Sequence, residues 1–153
     1  MPLRALLPFA GLLLLPAAAQ AACTVTATPL AFGHYSPRAP GLTSSVGTIT
    51  LTCVALLVVN LNYTIKLSAG GGGSFAARRL TSGSSRLAYQ LYTDNAGAGI
   101  WGDGTAGTSF VSGNAPLFLL GAGRAHSVYG RLPAGQNVPP GTYIDTIQVT
   151  VTY

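Results

Sequence analysis

Residues 147–153 read Ile-Gln-Val-Thr-Val-Thr-Tyr. Successive side chains of an extended chain point to opposite faces. Ile147, Val149, Val151 and Tyr153 therefore share one side, and Gln148, Thr150 and Thr152 the other. Strict alternation of this kind predicts a half-buried β-strand with an apolar wall turned to a core. The same period recurs upstream. In 47–53, GTITLTC, it sets Ile49, Leu51 and Cys53 against Thr48, Thr50 and Thr52. In 60–68, NLNYTIKLS, it sets Leu61, Tyr63, Ile65 and Leu67 against Asn60, Asn62, Thr64 and Lys66. In 86–94, RLAYQLYTD, the inward set is Leu87, Tyr89 and Leu91. Cys23-Thr24-Val25-Thr26 fits the same scheme and turns Cys23 inward.

The runs are separated by turn-forming stretches: SPRAPG, SAGGGGS, TSGSS, DNAGAG, GDGTAG and PAGQNVPPG. Beyond residue 21 no longer window favours a helix. Short alternating strands divided by Gly/Pro turns predict an all-β sandwich built as a single domain. AGGGGS is the one low-complexity patch, and it reads as a flexible hairpin loop.

The chain opens with the features of a secretory leader. Arg4 precedes the apolar run ALLPFAGLLLLPAAA, and Ala19-Gln20-Ala21 supplies an A-x-A site. Pro8 and Pro16 interrupt a run that is already short for a membrane span. Residues 1–21 are thus expected to be a signal peptide, cut between Ala21 and Ala22, leaving 22–153 as the exported domain with no integral span. Gln20 stands where a lipobox before Cys23 requires an aliphatic residue. An exported chain with two cysteines predicts one disulfide, Cys23–Cys53. Closing that loop contributes on the order of 3–4 kcal/mol in the chain-entropy account.

Seven cations (Arg38, Lys66, Arg78, Arg79, Arg86, Arg124, Arg131) remain after leader removal, against Asp94, Asp103 and Asp145. The balance is 7 − 3 = +4, but the cations are scattered, unlike the basic patch of a nucleic-acid binder. Arg78-Arg79 reads as a solvated pair. His34 and His126 are expected at loop edges. Neither they nor the cysteines form a metal-binding cluster, no G-x-S-x-G occurs, and no helix follows the glycine-rich loops to hold a phosphate. Asp94 and Asp103 read as turn-capping residues. No catalytic residue, cofactor or metal is predicted.

Two apolar stretches break the alternation: VALLVVN, containing Leu56, Leu57, Val58 and Val59, and PLFLL, containing Leu117, Phe118, Leu119 and Leu120. Each fits a strand covered on both faces or an apolar patch that meets a partner surface.

Taken together, CTV, FG, GTITLTC, YTIKLSAG, RRLTSG, LAYQLYTD, WGDG and the closing PAGQNVPPGTYIDTIQVTVTY resemble the spore coat protein U domain family, which includes subunits of archaic chaperone–usher pili. The resemblance covers essentially all of the expected mature chain. It implies a non-catalytic, incomplete Ig-like β-sandwich with one strand missing. A periplasmic pilus chaperone, and then the donor strand of a neighbouring pilin subunit, would fill the gap during export through an outer-membrane usher to the cell surface. On that reading Ile147, Val149, Val151 and Tyr153 line the acceptor groove, and the two apolar stretches are candidate adhesive loops. Cleavage after Ala21 leaves one residue ahead of Cys23, too few for a donor strand. The expected subunit therefore accepts a strand without giving one, as at a fibre tip or cap. The alternative is a secreted spore-coat or matrix protein assembling without an usher.

Overall fold

The Thr/Ile/Leu alternation of 47–53 folds into the long second strand of the molecule, and the other elements are arranged around it. The computed structural model describes residues 22–54, 59–117 and 122–153. Within these, nine strands follow in order: β1 (Ala22–Thr28), β2 (Thr43–Val54), β3 (Val59–Leu67), β4 (Arg79–Ser82), β5 (Ser85–Ala88), β6 (Gln90–Tyr92), β7 (Val111–Leu117), β8 (Ala122–Leu132) and β9 (Val149–Thr152). A single 3₁₀ turn, Phe75–Ala77, is the one helical element among the described residues. The expected leader, 1–21, lies outside them.

The strands form a four-stranded antiparallel sheet in the order β1-β2-β8-β6, a three-stranded sheet β7-β3-β9, and the small hairpin β4-β5. The two larger sheets face each other as in an Ig-like sandwich. Ile49, Leu51 and Cys53 from one sheet meet Tyr63, Ile65 and Leu67 from the other in a common core with Leu87, Tyr89, Leu91 and Trp101. Each of these is an inward position of the alternation except Trp101, which enters from the loop before β7. Cys23 and Cys53 stand opposite each other in the β1–β2 register and are joined by a disulfide.

Three expectations need correction. The run 86–94 is not one strand: it breaks at Tyr89, with β5 pairing to β4 and β6 to β8. The inward order of Leu87, Tyr89 and Leu91 survives because alternation specifies the face and not the sheet. The β5 edge is held by the Gln136 amide, which accepts from the Ala88 N–H at 2.7 Å and donates to the Ala88 carbonyl at 2.9 Å. Arg78 is not solvated: it is 0% exposed, whereas Arg79 is exposed. Its guanidinium donates to the carbonyls of Ser68 and Trp101, both at 2.7 Å, and to Gln90 Oε1 at 2.8 Å. Burial pulls the Arg78 guanidinium down from its ordinary value, while nearby Tyr89 and Asp145 oppose that.

The third concerns AGGGGS, which is a pinned turn. The Gly71 N–H donates to Asp145 Oδ1 at 2.8 Å. Gly70 has φ +73°, and a Cβ there would overlap the Asp145 carboxylate; Gly73, at φ +69°, has open space around it. The two glycines separate backbone cost from steric cost. Gly73→Ala should lose about 1–2 kcal/mol, the left-handed backbone term alone. Gly70→Ala should lose clearly more, read as a lower urea midpoint of the oxidised protein. Equal losses would mean that the Asp145 contact contributes nothing.

Candidate functional site

The sandwich is open along one side. In the four-stranded sheet β1 pairs only with β2, and in the three-stranded sheet β9 pairs only with β3, among the described residues. A cleft of about 330 Å³ lies between these two edges. Ala27, Pro29 and Leu30 line it on the β1 side, Ile147 and Val149 on the β9 side, and Ile49, Leu67, Leu91 and Val128 form its floor. A second hollow of about 660 Å³ shares Leu30, Phe32 and Leu80 with the first and continues past Tyr35, Pro139 and Tyr143. The apolar channel therefore runs on beyond the strand ends.

Register shows what the opening does to burial. Antiparallel partners project to the same face. Val25 is opposite Leu51, yet Leu51 is 1% exposed and Val25 is 41% exposed. On the other sheet, Val151 is opposite Ile65 and Val149 opposite Leu67. Ile65 and Leu67 are buried, while Val149 and Val151 are only half-buried. On both sides, inward-facing side chains one strand in from the opening are covered and those at the opening are not.

The structure places the four sequence-nominated groove residues unequally. Ile147 and Val149 line the cleft. Val151 shares their face and packs against the core cluster with them. Tyr153 lies beyond the end of β9 and is 54% exposed. Strand pairing begins later than the alternation, but the Gln148 carbonyl still accepts from the Ser68 N–H at 3.0 Å. Of the apolar stretches, Leu56, Leu57, Val58, Phe118, Leu119 and Leu120 lie outside the described residues. Val59 and Leu117 end β3 and β7 and are register partners.

One polar position interrupts the groove wall. Tyr143, Asp145, Ile147, Val149 and Val151 are the half-buried residues of an alternating run, and Asp145 lines the cleft. Its Oδ2 accepts the Tyr89 hydroxyl at 2.6 Å, and its Oδ1 accepts the N–H groups of Gly71 and Thr146, both at 2.8 Å. Burial, and then this hydrogen bond, push the Tyr89 phenol well above its ordinary range. Sequence reading missed this role. A lone Asp among turn residues carries no local signal, and its partners are 56 and 74 positions away.

Elsewhere the polar residues serve the scaffold. Asp94 accepts from the N–H groups of Gly97, Ala98 and Gly99, and Asp103 from the N–H and hydroxyl of Thr105, so both cap turns as expected. Among the described residues no group of three or more His, Cys, Asp or Glu is placed to hold a metal, and no helix is long and apolar enough to cross a membrane. His34 is exposed in a loop. His126 is not at a loop edge. It lies within β8, and its Nε2 is 2.9 Å from the Tyr63 hydroxyl of the opposite sheet.

The geometry defines a class: an all-β, Ig-like subunit with two bare strand edges facing an apolar groove. The chain belongs to the spore coat protein U domain family, whose model matches residues 10–150. It is 34% identical to Protein U of Myxococcus xanthus over 133 residues, 81% of this chain and 71% of that protein. Its fold is similar to that of a chain in the crystal structure of the CsuC–CsuE chaperone–tip adhesion subunit pre-assembly complex, from archaic chaperone-usher Csu pili of Acinetobacter baumannii. That match has a TM-score of 0.60 and 22% identity over 88% of this chain. This chain spans 40% of that chain's length.

His126, packed between the sheets against Tyr63, gives the sandwich a pH signature. Burial, and secondarily the Arg124 charge, hold its pKa below the ordinary 6.5. The unfolded chain then binds more protons than the folded one as pH drops below 6.5, so stability falls there and levels off below the folded-state value. Asp94 acts in a separate window. Backbone hydrogen bonds depress Asp94, so its contribution is present above pH 3.8 and is lost below that. Urea midpoints of the wild type should decline as pH falls below about 6.5, and His126→Gln should flatten that decline.

Proposed function

We propose that this chain is a non-catalytic structural or adhesive subunit of a chaperone–usher-type surface pilus, exported through the periplasm, that accepts a strand from another protein in the seam between β1 and β9. One observation carries the reading, namely how the four outer sheet edges are treated. Proteins blunt exposed edges with proline, charge, short strands or covering segments. The β7 edge contains Pro116, and β6 is three residues long, with Tyr92 bridged to Ile100. The seven residues of β1, ACTVTAT, and the four of β9, VTVT, contain neither proline nor charge, and among the described residues no isolated bridge covers either as Ile100 covers β6. The two edges facing the groove are the two left ready to pair.

Strand addition matches this construction. The backbone ladder supplies affinity, and alternate side chains enter the groove. Completing the burial of each half-covered Val or Ile contributes on the order of 1 kcal/mol. Free strand edges beside an apolar cleft favour aggregation, so a periplasmic chaperone would hold the subunit until an outer-membrane usher and a neighbouring subunit replace it. The family relationship and the fold likeness to a chain of a chaperone–adhesin complex support these partners.

The place in the fibre rests on cleavage at Ala21/Ala22. A mature chain beginning there has no donor segment ahead of Cys23 and would occupy a tip or cap. N-terminal sequencing of the exported protein checks this: a start at Ala22 supports it, and a mature N-terminus ten or more residues upstream overturns it. A coat or matrix protein assembling without an usher is the competing reading, favoured by the family's description.

Co-expression with an archaic-type periplasmic chaperone should yield a 1:1 complex by size exclusion. Val149→Asn with Val151→Asn should weaken capture strongly, and the outward pair Thr150→Asn with Thr152→Asn should leave it intact. Loss in both pairs, or in neither, would contradict the groove assignment. A chain that is a soluble, stable monomer alone would count against both assembly readings.

A further inference from the structure

The sequence contains three acidic residues. Two are tied into their own loops, Asp94 by three backbone N–H groups and Asp103 by Thr105. The third, Asp145, lines the cleft. Among the described residues no ion pair forms with it: the buried Arg78 guanidinium is near enough for the two charges to act on each other, but it donates its hydrogen bonds to three neutral acceptors. An ionised carboxylate has about four acceptor sites on two oxygens. Gly71 and Thr146 occupy Oδ1, and Tyr89 takes one site on Oδ2, so one site on Oδ2 is left over.

We propose that Asp145 is the register-reading position of the strand groove, and that the accepted strand carries a cationic side chain, Lys or Arg, at the inward position that meets it. The inference rests on the strand-acceptor reading. Ile147, Val149 and Val151 follow Asp145 at two-residue steps on the same face. A strand laid beside this wall meets one anionic position, set between Tyr143 on one side and Ile147, Val149 and Val151 on the other. Because the side-chain period is two, a purely apolar alternating strand fits equally well after a slip of two residues. A slip therefore costs little against the apolar positions alone. With Asp145 in the wall, an apolar residue over it removes water from the carboxylate without replacing the lost hydrogen bond, and a cation slipped by two residues is buried against Ile147 or Tyr143. One register satisfies both conditions. A lone polar residue in an apolar seam fixes coiled-coil register by the same logic.

The experiment uses the full exported chain, diluted from guanidinium with its disulfide intact in the presence of excess synthetic peptide. The probes are 13-residue peptides of alternating Val and Thr with solubilising ends, and a series in which one Lys is walked through the Val positions. Binding is read as the rise in unfolding midpoint. One Lys position should bind about tenfold more tightly than its neighbours, the scale of one charge-assisted hydrogen bond. Glu at that position should bind more weakly than Val. Asp145→Asn should abolish the preference while the all-Val peptide still binds, and Tyr89→Phe, which keeps the carboxylate, should retain it. Equal binding for all Lys positions, or a preference that persists in Asp145→Asn, overturns the proposal. If Asp145→Asn does not fold, the Lys and Glu series on the wild type decides alone. Failure of even the all-Val peptide to raise the midpoint would instead overturn the strand-acceptor reading.

Discussion

Among the described residues, the backbone of Val149–Thr152 finds ladder partners on the β3 side only, and that of Ala22–Thr28 on the β2 side only. Peptide groups that face the opening must be satisfied by water or by another strand, and water is a poor neighbour for the Val and Ile side chains beside them. This conflict between a polar backbone edge and an apolar wall shapes the rest of the molecule. A complete sandwich resolves it with one more strand. Here it stays open, so the scaffold must keep both walls in place without that strand's support.

The fixing points lie where the walls have least help from the sheets. The Cys23–Cys53 bond ties β1 to the buried strand β2 at its register partner. The approach to β9 is held by Asp145, clasped between the Gly70–Gly71 turn and the Tyr89 hydroxyl. The Arg78 guanidinium binds the carbonyls of Ser68 and Trp101, and the Trp101 indole donates to the Ile65 carbonyl at 3.0 Å. These contacts connect loops to strands that flank the seam. A groove whose walls are set beforehand costs an incoming strand less ordering entropy than one that forms on contact.

Sequence reading succeeded where the physics is local and periodic. Ile49, Leu51, Tyr63, Ile65, Leu67, Leu87 and Leu91 are all buried, as alternation requires, and Thr48, Thr50, Asn60 and Asn62 are not. It failed where a partner far along the chain decides the outcome. Nothing next to Arg78 in sequence announces that three acceptors at 68, 90 and 101 will enclose it. Gly70 and Gly71 looked flexible because glycine is permissive. Gly70 is required because a carboxylate from residue 145 occupies the space a side chain would need, and Gly71 gives that carboxylate its N–H. The groove was half legible: its apolar positions follow from the closing alternation, whereas its anionic position depends on a fold-level contact.

The scarcity of charge belongs to the same account. Charged residues make up 7% of the sequence, and Thr24, Thr26, Thr28, Thr48, Thr50 and Thr52 fill most outward positions where β1 pairs with β2. Threonine suits a strand and keeps the outer face wet, but it gives little protection against edge pairing. A sequence selected to fold alone would place lysine on β1 or β9. On the proposed reading, doing so here would repel or misalign the accepted strand. The low charge of the seam strands and the burial left incomplete beside them are thus two features that the proposed strand acceptance explains together.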